Sequence, residues 1–406
     1  MTGRLLELHV QNFRSLRDVT IPLGPLTVLV GPNGVGKTNV LKVFDFLADI
    51  IQSDLEPALS RRGGFDEVAF WGGTEPPTSM RIGLKATWTT HSSQTAPDAY
   101  ELTVHRRAAP NQLPGYALAR REKFAFKRTQ GQGRRITISS ERATVTDTNA
   151  AEESEKQIGI QRLSSGLSTL PRLAESEGGN EVARVADRLS SFRVFDVNVD
   201  AARSPARIPP RNELPLTPDA GNLAAFFFQL QRNQDLWDRL LEDARTVLPQ
   251  LEHIVFDATG GSAHHIAVHL QERGLRRTTP LADASYGTVR FLGLLALLYD
   301  PHPPALTCVE EIDHGLHPQA LRLIVERLRE ASERSQYIVA THSPALVDRL
   351  RPEEFVICER DREGASIIPA ISAKDVHEIV KETGDQALGE LWFSGVLGGD
   401  LTGDEL

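Results

Sequence analysis

Gly31-Pro32-Asn33-Gly34-Val35-Gly36-Lys37-Thr38 is the stretch of this 406-residue chain whose residue types and spacing point most directly to chemistry. A glycine, four residues, then Gly-Lys-Thr is the pattern that cradles a polyphosphate. Glycine-freed backbone N–H groups face phosphate oxygens, the following helix adds the positive end of its dipole, Lys37 reaches the outer phosphates, and the Thr38 hydroxyl can ligate Mg2+. The flanks agree with this reading. Leu26-Thr27-Val28-Leu29-Val30 is apolar on both faces, as in a central strand, and Val40, Leu41, Val43, Phe44, Leu47, Ile50 and Ile51 recur at helical spacing. We expect Asn33, Gly34, Val35, Gly36, Lys37, Thr38 and Asn39 to line a nucleotide-phosphate site.

Such a loop needs acidic partners. The apolar run Ala305-Leu306-Thr307-Cys308-Val309 ends in Glu310-Glu311. Glu310 stands where an Asp normally orients the Mg2+ shell, one methylene longer, and Glu311 would polarise an attacking water as general base. Asp313-His314-Gly315-Leu316-His317-Pro318 follows at once. A second apolar run, Tyr337-Ile338-Val339-Ala340, leads into Thr341-His342-Ser343-Pro344. If the two runs are neighbouring strands, His342 ends beside the carboxylates, within reach of a γ-phosphate. Finally, Ala284-Ser285-Tyr286-Gly287-Thr288 opens a long apolar helix, where a hydroxyl and N–H donors can meet an anion. Taken singly these are a solvated strand end, a structural histidine and a plain N-cap; their succession after a phosphate loop favours the chemical reading.

The elements that must hold these residues read as α/β. A hairpin (Leu5–Val10, Val19–Ile21) precedes the phosphate loop; short alternating runs between Met80 and Thr148 read as an antiparallel β subdomain; residues 152–192 and 222–248 carry helical periodicity; and the last 130 residues or so alternate helix and strand. The expected organisation is 1–79 and 251–406 as two halves of one nucleotide-binding head, 80–150 as the β subdomain, and 151–250 as a mainly helical insertion. Composition sets outer bounds. A 40% apolar, 24% charged chain of net charge −9 is ordinary globular protein. Phe291–Tyr299, the longest nearly uncharged apolar run, is far short of the roughly 18 residues of a membrane span. Met1–Glu7 lacks a signal segment, and two cysteines in β-branched runs, Cys308 and Cys358, read as buried thiols, so a cytoplasmic location is expected.

The ordered set of phosphate loop, Ser-x-Gly helix start, paired Glu, Leu316-His317-Pro318 and Thr341-His342-Ser343 resembles ABC-type ATPases of the RecF/SMC class. It is most similar to the RecF-like AAA-family ATPases related to the ATPase half of OLD-family proteins. Leu8-His9-Val10-Gln11-Asn12-Phe13-Arg14-Ser15-Leu16 resembles their opening strand and turn. Arg62-Gly63-Gly64-Phe65, Phe70-Trp71-Gly72-Gly73, Asp219-Ala220-Gly221-Asn222-Leu223-Ala224 and Leu388–Gly395 extend the match. The resemblance implies a P-loop NTPase of ABC/SMC-head type, a mixed sheet core carrying an antiparallel β subdomain and a helical insertion. It implies ATP and Mg2+ as ligands, with Thr38 and Glu310 on the metal and Glu311 and His342 catalytic. It also implies a homodimer formed on ATP, in which Ser285, Tyr286 and Gly287 act as the signature facing the partner's phosphate loop. Thr288 departs from the Gln or Glu of many signatures, and the glutamine that senses Mg2+ has no assigned position. After His342 only 64 residues remain, too few for the Toprim nuclease that OLD proteins carry, so a nuclease would be a separate protein.

DNA is the expected partner, in repair or in defence against phage. Ten Lys/Arg against two Glu between Arg106 and Arg142 give a local net charge of +8 inside an acidic chain, with Phe124 and Phe126 interleaved. Aromatic residues there suit unstacked bases or the subdomain's own core. The rival reading is an ATP-gated regulatory scaffold that docks and restrains a separate nuclease or toxin encoded nearby, with slow hydrolysis. Glu359-Arg360-Asp361-Arg362-Glu363 reads as a charged hairpin turn rather than a metal site.

Overall fold

The computed structural model describes residues 3–108, 116–128, 133–147, 154–174, 178–208, 214–259, 265–384 and 386–398. The chain forms two compact units, one built from the sequence up to Phe192 and resuming at Arg351, the other from Arg193–Leu350.

The first unit opens with β1 (Leu5–Phe13), β2 (Leu16–Pro22) and β3 (Leu26–Val30), followed by α1 (Lys37–Ser53), α2 (Leu55–Ser60) and α3 (Phe65–Val68). Next come β4 (Ser79–Ala86), β5 (Asp98–Ala108), β6 (Tyr116–Phe126), β7 (Arg134–Ser139), β8 (Arg142–Asp147) and β9 (Ser154–Gly159), then α4 (Gly166–Thr169) and α5 (Gly179–Ser190). The second unit holds β10 (Arg193–Phe195), α6 (Val199–Ala202), β11 (Ala206–Arg207), α7 (Leu223–Leu230), α8 (Gln234–Val247), β12 (Leu251–Thr259), β13 (His265–Glu272) and β14 (Thr279–Pro280). It continues through α9 (Tyr286–Leu298), β15 (Leu306–Val309), α10 (Pro318–Ala331), β16 (Gln336–Thr341) and α11 (Pro344–Val347). The first unit resumes with β17 (Phe355–Ile357), β18 (Glu359–Arg360), β19 (Ser366–Ile367) and α12 (Ala373–Thr383).

In the first unit β1, β2 and β4 to β9 form one antiparallel sheet in the order β2-β1-β4-β5-β6-β7-β8-β9. The β subdomain expected from residue 80 is therefore continuous with the N-terminal hairpin, because β4 pairs along β1 from Leu5↔Ala86 to Gln11↔Arg81. Alternation makes one face apolar: Ile82, Tyr100, Leu102, Phe124, Ile136 and Ile138 are buried, while Arg121, Lys123, Arg135 and Thr137 face out. The stretch from 152, expected to be helical, begins instead with β9, paired to β8 with Ile158↔Ala143. Pairing with β8 wins there, and helix begins only where Ser165 caps Leu167 N. β3, buried at all five positions, pairs parallel to β17. Helix α1 ends at Asp54, whose carboxylate also receives Leu55 N, Ser165 N and Ser168 Oγ, tying it to α4.

A buried charged cluster lies under the sheet. Glu122 accepts hydrogen bonds from Gly166 N (2.9 Å), Ser165 Oγ (3.1 Å) and Tyr100 OH (3.1 Å), and Arg120 Nε is 3.5 Å away. Burial pushes the Glu122 carboxyl up, against the lowering influence of Arg120 and the hydrogen bonds. The same burial, with Glu122 nearby, pushes the Tyr100 phenol well above its ordinary value.

In the second unit β10, β15 and β16 run parallel with β15 in the middle, registered Cys308↔Ile338 and Val194↔Cys308. Strands 305–309 and 336–340 are thus neighbours, as the sequence requires for His342 to approach the paired glutamates. Helix α9, buried along nearly its whole length, and the amphipathic α10 flank this core. A separate antiparallel layer joins β11, β13 and β12, with β14 on β13. Among the described residues no helix is long and apolar enough to cross a membrane. Both cysteines are free and buried, and burial pushes the Cys358 thiol up to about 12.

Candidate functional site

In the first unit the loop from Gly31 to Gly36 joins β3 to α1. Gly36 is the N-cap of α1 at φ 107°, and no side chain caps that helix. A Cβ on Gly36 would lie 2.1 Å from Ser366 Oγ and 2.7 Å from Ser15 Oγ, so both the backbone conformation and the space require glycine. An uncapped 17-residue helix with no acid in its first turn leaves N–H donors and a positive dipole end for an anion. The Lys37 ammonium folds onto the loop, donating to the Gly31 carbonyl (2.6 Å) and the Pro32 carbonyl (2.8 Å). Asn33, Gly34 and Thr38 are exposed; Val35, Gly36 and Lys37 are buried. Asn39 does not point along the cradle but donates from Nδ2 to Ser15 Oγ (2.8 Å). This donor set suits a polyphosphate.

Ser15, Ser366 and Arg360 support the loop and carry no local sequence signal for that role. Ser15 lies in the β1–β2 turn, where Asn12 and Arg14 hold positive φ (55° and 51°), a conformation that L side chains adopt at some cost. Its hydroxyl meets Ser366 Oγ at 2.7 Å in a buried contact. Arg360 donates to the Gly34 carbonyl (3.2 Å) from the β18–β19 hairpin, the charged turn expected at 359–363.

In the second unit β15 and β16 end side by side. Glu310 and Glu311 follow β15 directly, and His342 follows β16, exposed like Glu311. Glu311 is strained, at φ 43°, and its carboxylate lies 3.5 Å from His314 Nδ1. Asp313 accepts a hydrogen bond from Thr341 Oγ1, which fixes the loop after β15 to the end of β16. Arg290, on α9, is what sequence reasoning missed here. Its buried guanidinium reaches Asp196, the Val197 carbonyl and the Glu310 carbonyl, and donates to the Glu311 carbonyl at 2.7 Å. It therefore links the helix that Ser285 opens to the backbone of the two glutamates. Ser285 caps α9 by accepting from Thr288 N (3.1 Å), Tyr286 packs against His314 in a tilted pair with ring centroids 5.6 Å apart, and Gly287 lies against the Gly315 carbonyl. The Ser-Tyr-Gly helix start and the Asp313–Pro318 loop are thus packed together.

Among the described residues no group of three or more His, Cys, Asp or Glu is placed to hold a metal. The exposed Thr38 hydroxyl in the first unit and the half-buried Glu310 carboxylate in the second are each oxygen donors of the kind Mg2+ takes.

The basic stretch is corrected by the structure. Arg120 is 2% exposed and Arg134 is buried against Asp147 and Glu181. Arg128 pairs with Glu181, Arg106 with Asp66, and Lys123 with Glu101. Phe124 and Phe126 are 1% exposed and belong to the core, because alternation along β6 turns them inward with Arg120 and Glu122. What remains outside includes a cross-strand row of Arg81, Arg121, Ser139 and Arg142, in which the buried Thr103 is the register partner between Arg81 and Arg121. Burial and the nearby Arg107, Arg121 and Arg81 push the His105 imidazole down. In the second unit Arg193 donates to the Leu216 carbonyl and Arg203 to the Ala284 carbonyl.

Known proteins agree with this architecture. The fold is similar to that of an SMC head solved bound to the C-terminal winged-helix domain of ScpA: TM-score 0.51, 14% identity, 92% of this chain and 99% of that one. Among curated proteins, the OLD nuclease of Thermus scotoductus is 49% identical over 55 residues, 14% of this chain and 10% of that protein. The DNA replication and repair protein RecF of Myxococcus xanthus is 41% identical over 83 residues, 20% of each. The matched stretches thus span between a tenth and a fifth of those relatives' lengths. A family model described as "AAA domain, putative AbiEii toxin, Type IV TA system" matches residues 26–348, from the strand before the phosphate loop to beyond His342, and the chain belongs to that family, a RecF/SMC-like ABC-type ATPase family.

Proposed function

We propose that this chain is an ATP-binding and ATP-hydrolysing RecF-like ATPase that dimerises on ATP and acts on or senses DNA in repair or anti-phage defence. The observation that carries the reading is the pairing of β15 with β16, which sets Glu310, Glu311 and His342 just past the C-terminal ends of neighbouring strands in a chain that also holds an uncapped glycine loop with Lys37. Backbone N–H groups from Asn33 to Asn39 and the Lys37 ammonium would hold the phosphates, Lys37 leaving the Gly31 and Pro32 carbonyls to do so. Thr38 and Glu310 would hold Mg2+, which would supply charge to neutralise the phosphates. Glu311 takes a proton from the attacking water, and His342 donates a hydrogen bond to the γ-phosphate as its charge changes. Ser285, Tyr286 and Gly287 serve the partner's nucleotide, with Tyr286 and Ser285 exposed for that contact.

For DNA, the row of Arg81, Arg121 and Arg142 spans about 19 Å at the usual strand spacing, a length that several backbone phosphates can follow. Charge reversal at Arg81, Arg121 and Arg142 is expected to weaken duplex binding, measured with and without ATP, and to reduce the slope of its salt dependence by roughly 0.9 per lost phosphate contact. An unchanged affinity and slope would remove this face from the account.

A further inference from the structure

We infer that Trp71, braced by Arg14, is the platform on which the base of the bound nucleotide stacks. The inference rests on the phosphate-loop reading and adds the part of the ligand that the loop does not touch. Trp71 is 58% exposed, an unusual position for so large a ring, yet it is held rather than free. Its indole N–H donates to the Glu67 carbonyl (3.1 Å), its backbone N–H donates to the Arg14 carbonyl (3.0 Å), and the Arg14 guanidinium lies 5.4 Å from the ring centroid. An aromatic surface fixed in water loses little conformational freedom when a flat partner covers it.

The same turn ties this ring to the phosphate cradle. Arg14 is followed by Ser15, whose hydroxyl lies directly beneath Gly36 and bonds Asn39. Gly36, Ser15, Arg14 and Trp71 are therefore successive contacts in one unit, leading from the phosphate site to an exposed aromatic face. Arg14 holds a φ of 51° in this turn, and its carbonyl accepts from Trp71 N while Ser15 lies under the loop. The adjoining segment is closely packed as well: a Cβ on Gly72 would lie 2.6 Å from the Glu363 carbonyl oxygen, in the hairpin whose Arg360 bonds Gly34. The ligand class is a nucleoside triphosphate whose base contributes by stacking, so a purine is favoured over a pyrimidine by ring area.

The test compares Mg-ATP, Mg-CTP and inorganic tripolyphosphate by calorimetry on the intact chain, as wild type, Trp71→Ala and Trp71→Phe. Stacking on an aromatic side chain predicts that Trp71→Ala weakens ATP binding about 5- to 100-fold, leaves tripolyphosphate unchanged, and reduces the preference for ATP over CTP, while Trp71→Phe restores most of the loss. Equal ATP affinity in wild type and Trp71→Ala would overturn the inference. So would parallel losses for ATP and tripolyphosphate, which would mean that Trp71 only supports the loop. Wild-type protein that binds neither ligand would overturn the phosphate-loop reading itself.

Discussion

Glu311→Gln is expected to reduce ATP turnover by about 100-fold or more, the scale of a lost general base, while ATP affinity stays within a few-fold of wild type. Glu311 follows β15 directly, in a strained backbone conformation, with its carboxylate exposed near His314 and its carbonyl held by Arg290. A glutamine preserves shape and hydrogen bonding there but cannot take a proton. Because hydrolysis would end the ATP-bound state, the variant should accumulate dimers when given Mg-ATP, visible as a doubled mass in solution. Turnover near the wild-type rate would assign the base elsewhere, and the exposed His342 on the neighbouring strand would be the next candidate.

The second large effect concerns stability. Glu122→Ala is expected to cost about 3–5 kcal/mol, because it removes the carboxyl group beside the buried Arg120 guanidinium and the acceptor for Gly166 N and Ser165 Oγ. For a unit of this size that is a melting shift on the order of 10 °C. The pH dependence has a definite sign. Burial raises the folded-state pKa of Glu122, so the folded protein keeps this proton at pH values where the unfolded chain has released it. Its contribution to stability is fully present below the ordinary carboxyl range and declines as pH rises through the raised folded value. Arg120→Met, which removes the lowering influence of the guanidinium, should extend that decline to higher pH. Melting curves across pH for the wild type and both variants check this; identical curves would mean that the cluster is relaxed by water.

The contrast between these two sites shows what the sequence could convey. The glycine loop was legible because its chemistry is local: a buried strand, glycines at fixed spacing and a helix start all lie within thirty consecutive residues. The adjacency of Glu311 and His342 was legible at one remove, since two apolar runs ending in polar residues suggested neighbouring strands and β15 pairs with β16. Arg290, Ser15 and Ser366 were not legible, because each acts through a partner far away in sequence. The charge run at 106–142 was only partly legible for a related reason. Counting charges ignores alternation, which buries Arg120 and Arg134 beside their acids and turns Phe124 and Phe126 into the core. The helical expectation at 152–165 failed because a short apolar periodicity yielded to edge pairing with β8.

Titration of Mg-ATP into the intact chain, paired with phosphate release from the same samples, tests whether the protein binds and hydrolyses ATP. One ATP bound per chain with measurable turnover is expected, and both are expected to be lost in Lys37→Ala, whose ammonium otherwise lies over the phosphate loop. Wild-type protein that binds no ATP, or a Lys37→Ala variant that binds and hydrolyses it as the wild type does, would contradict the proposed function.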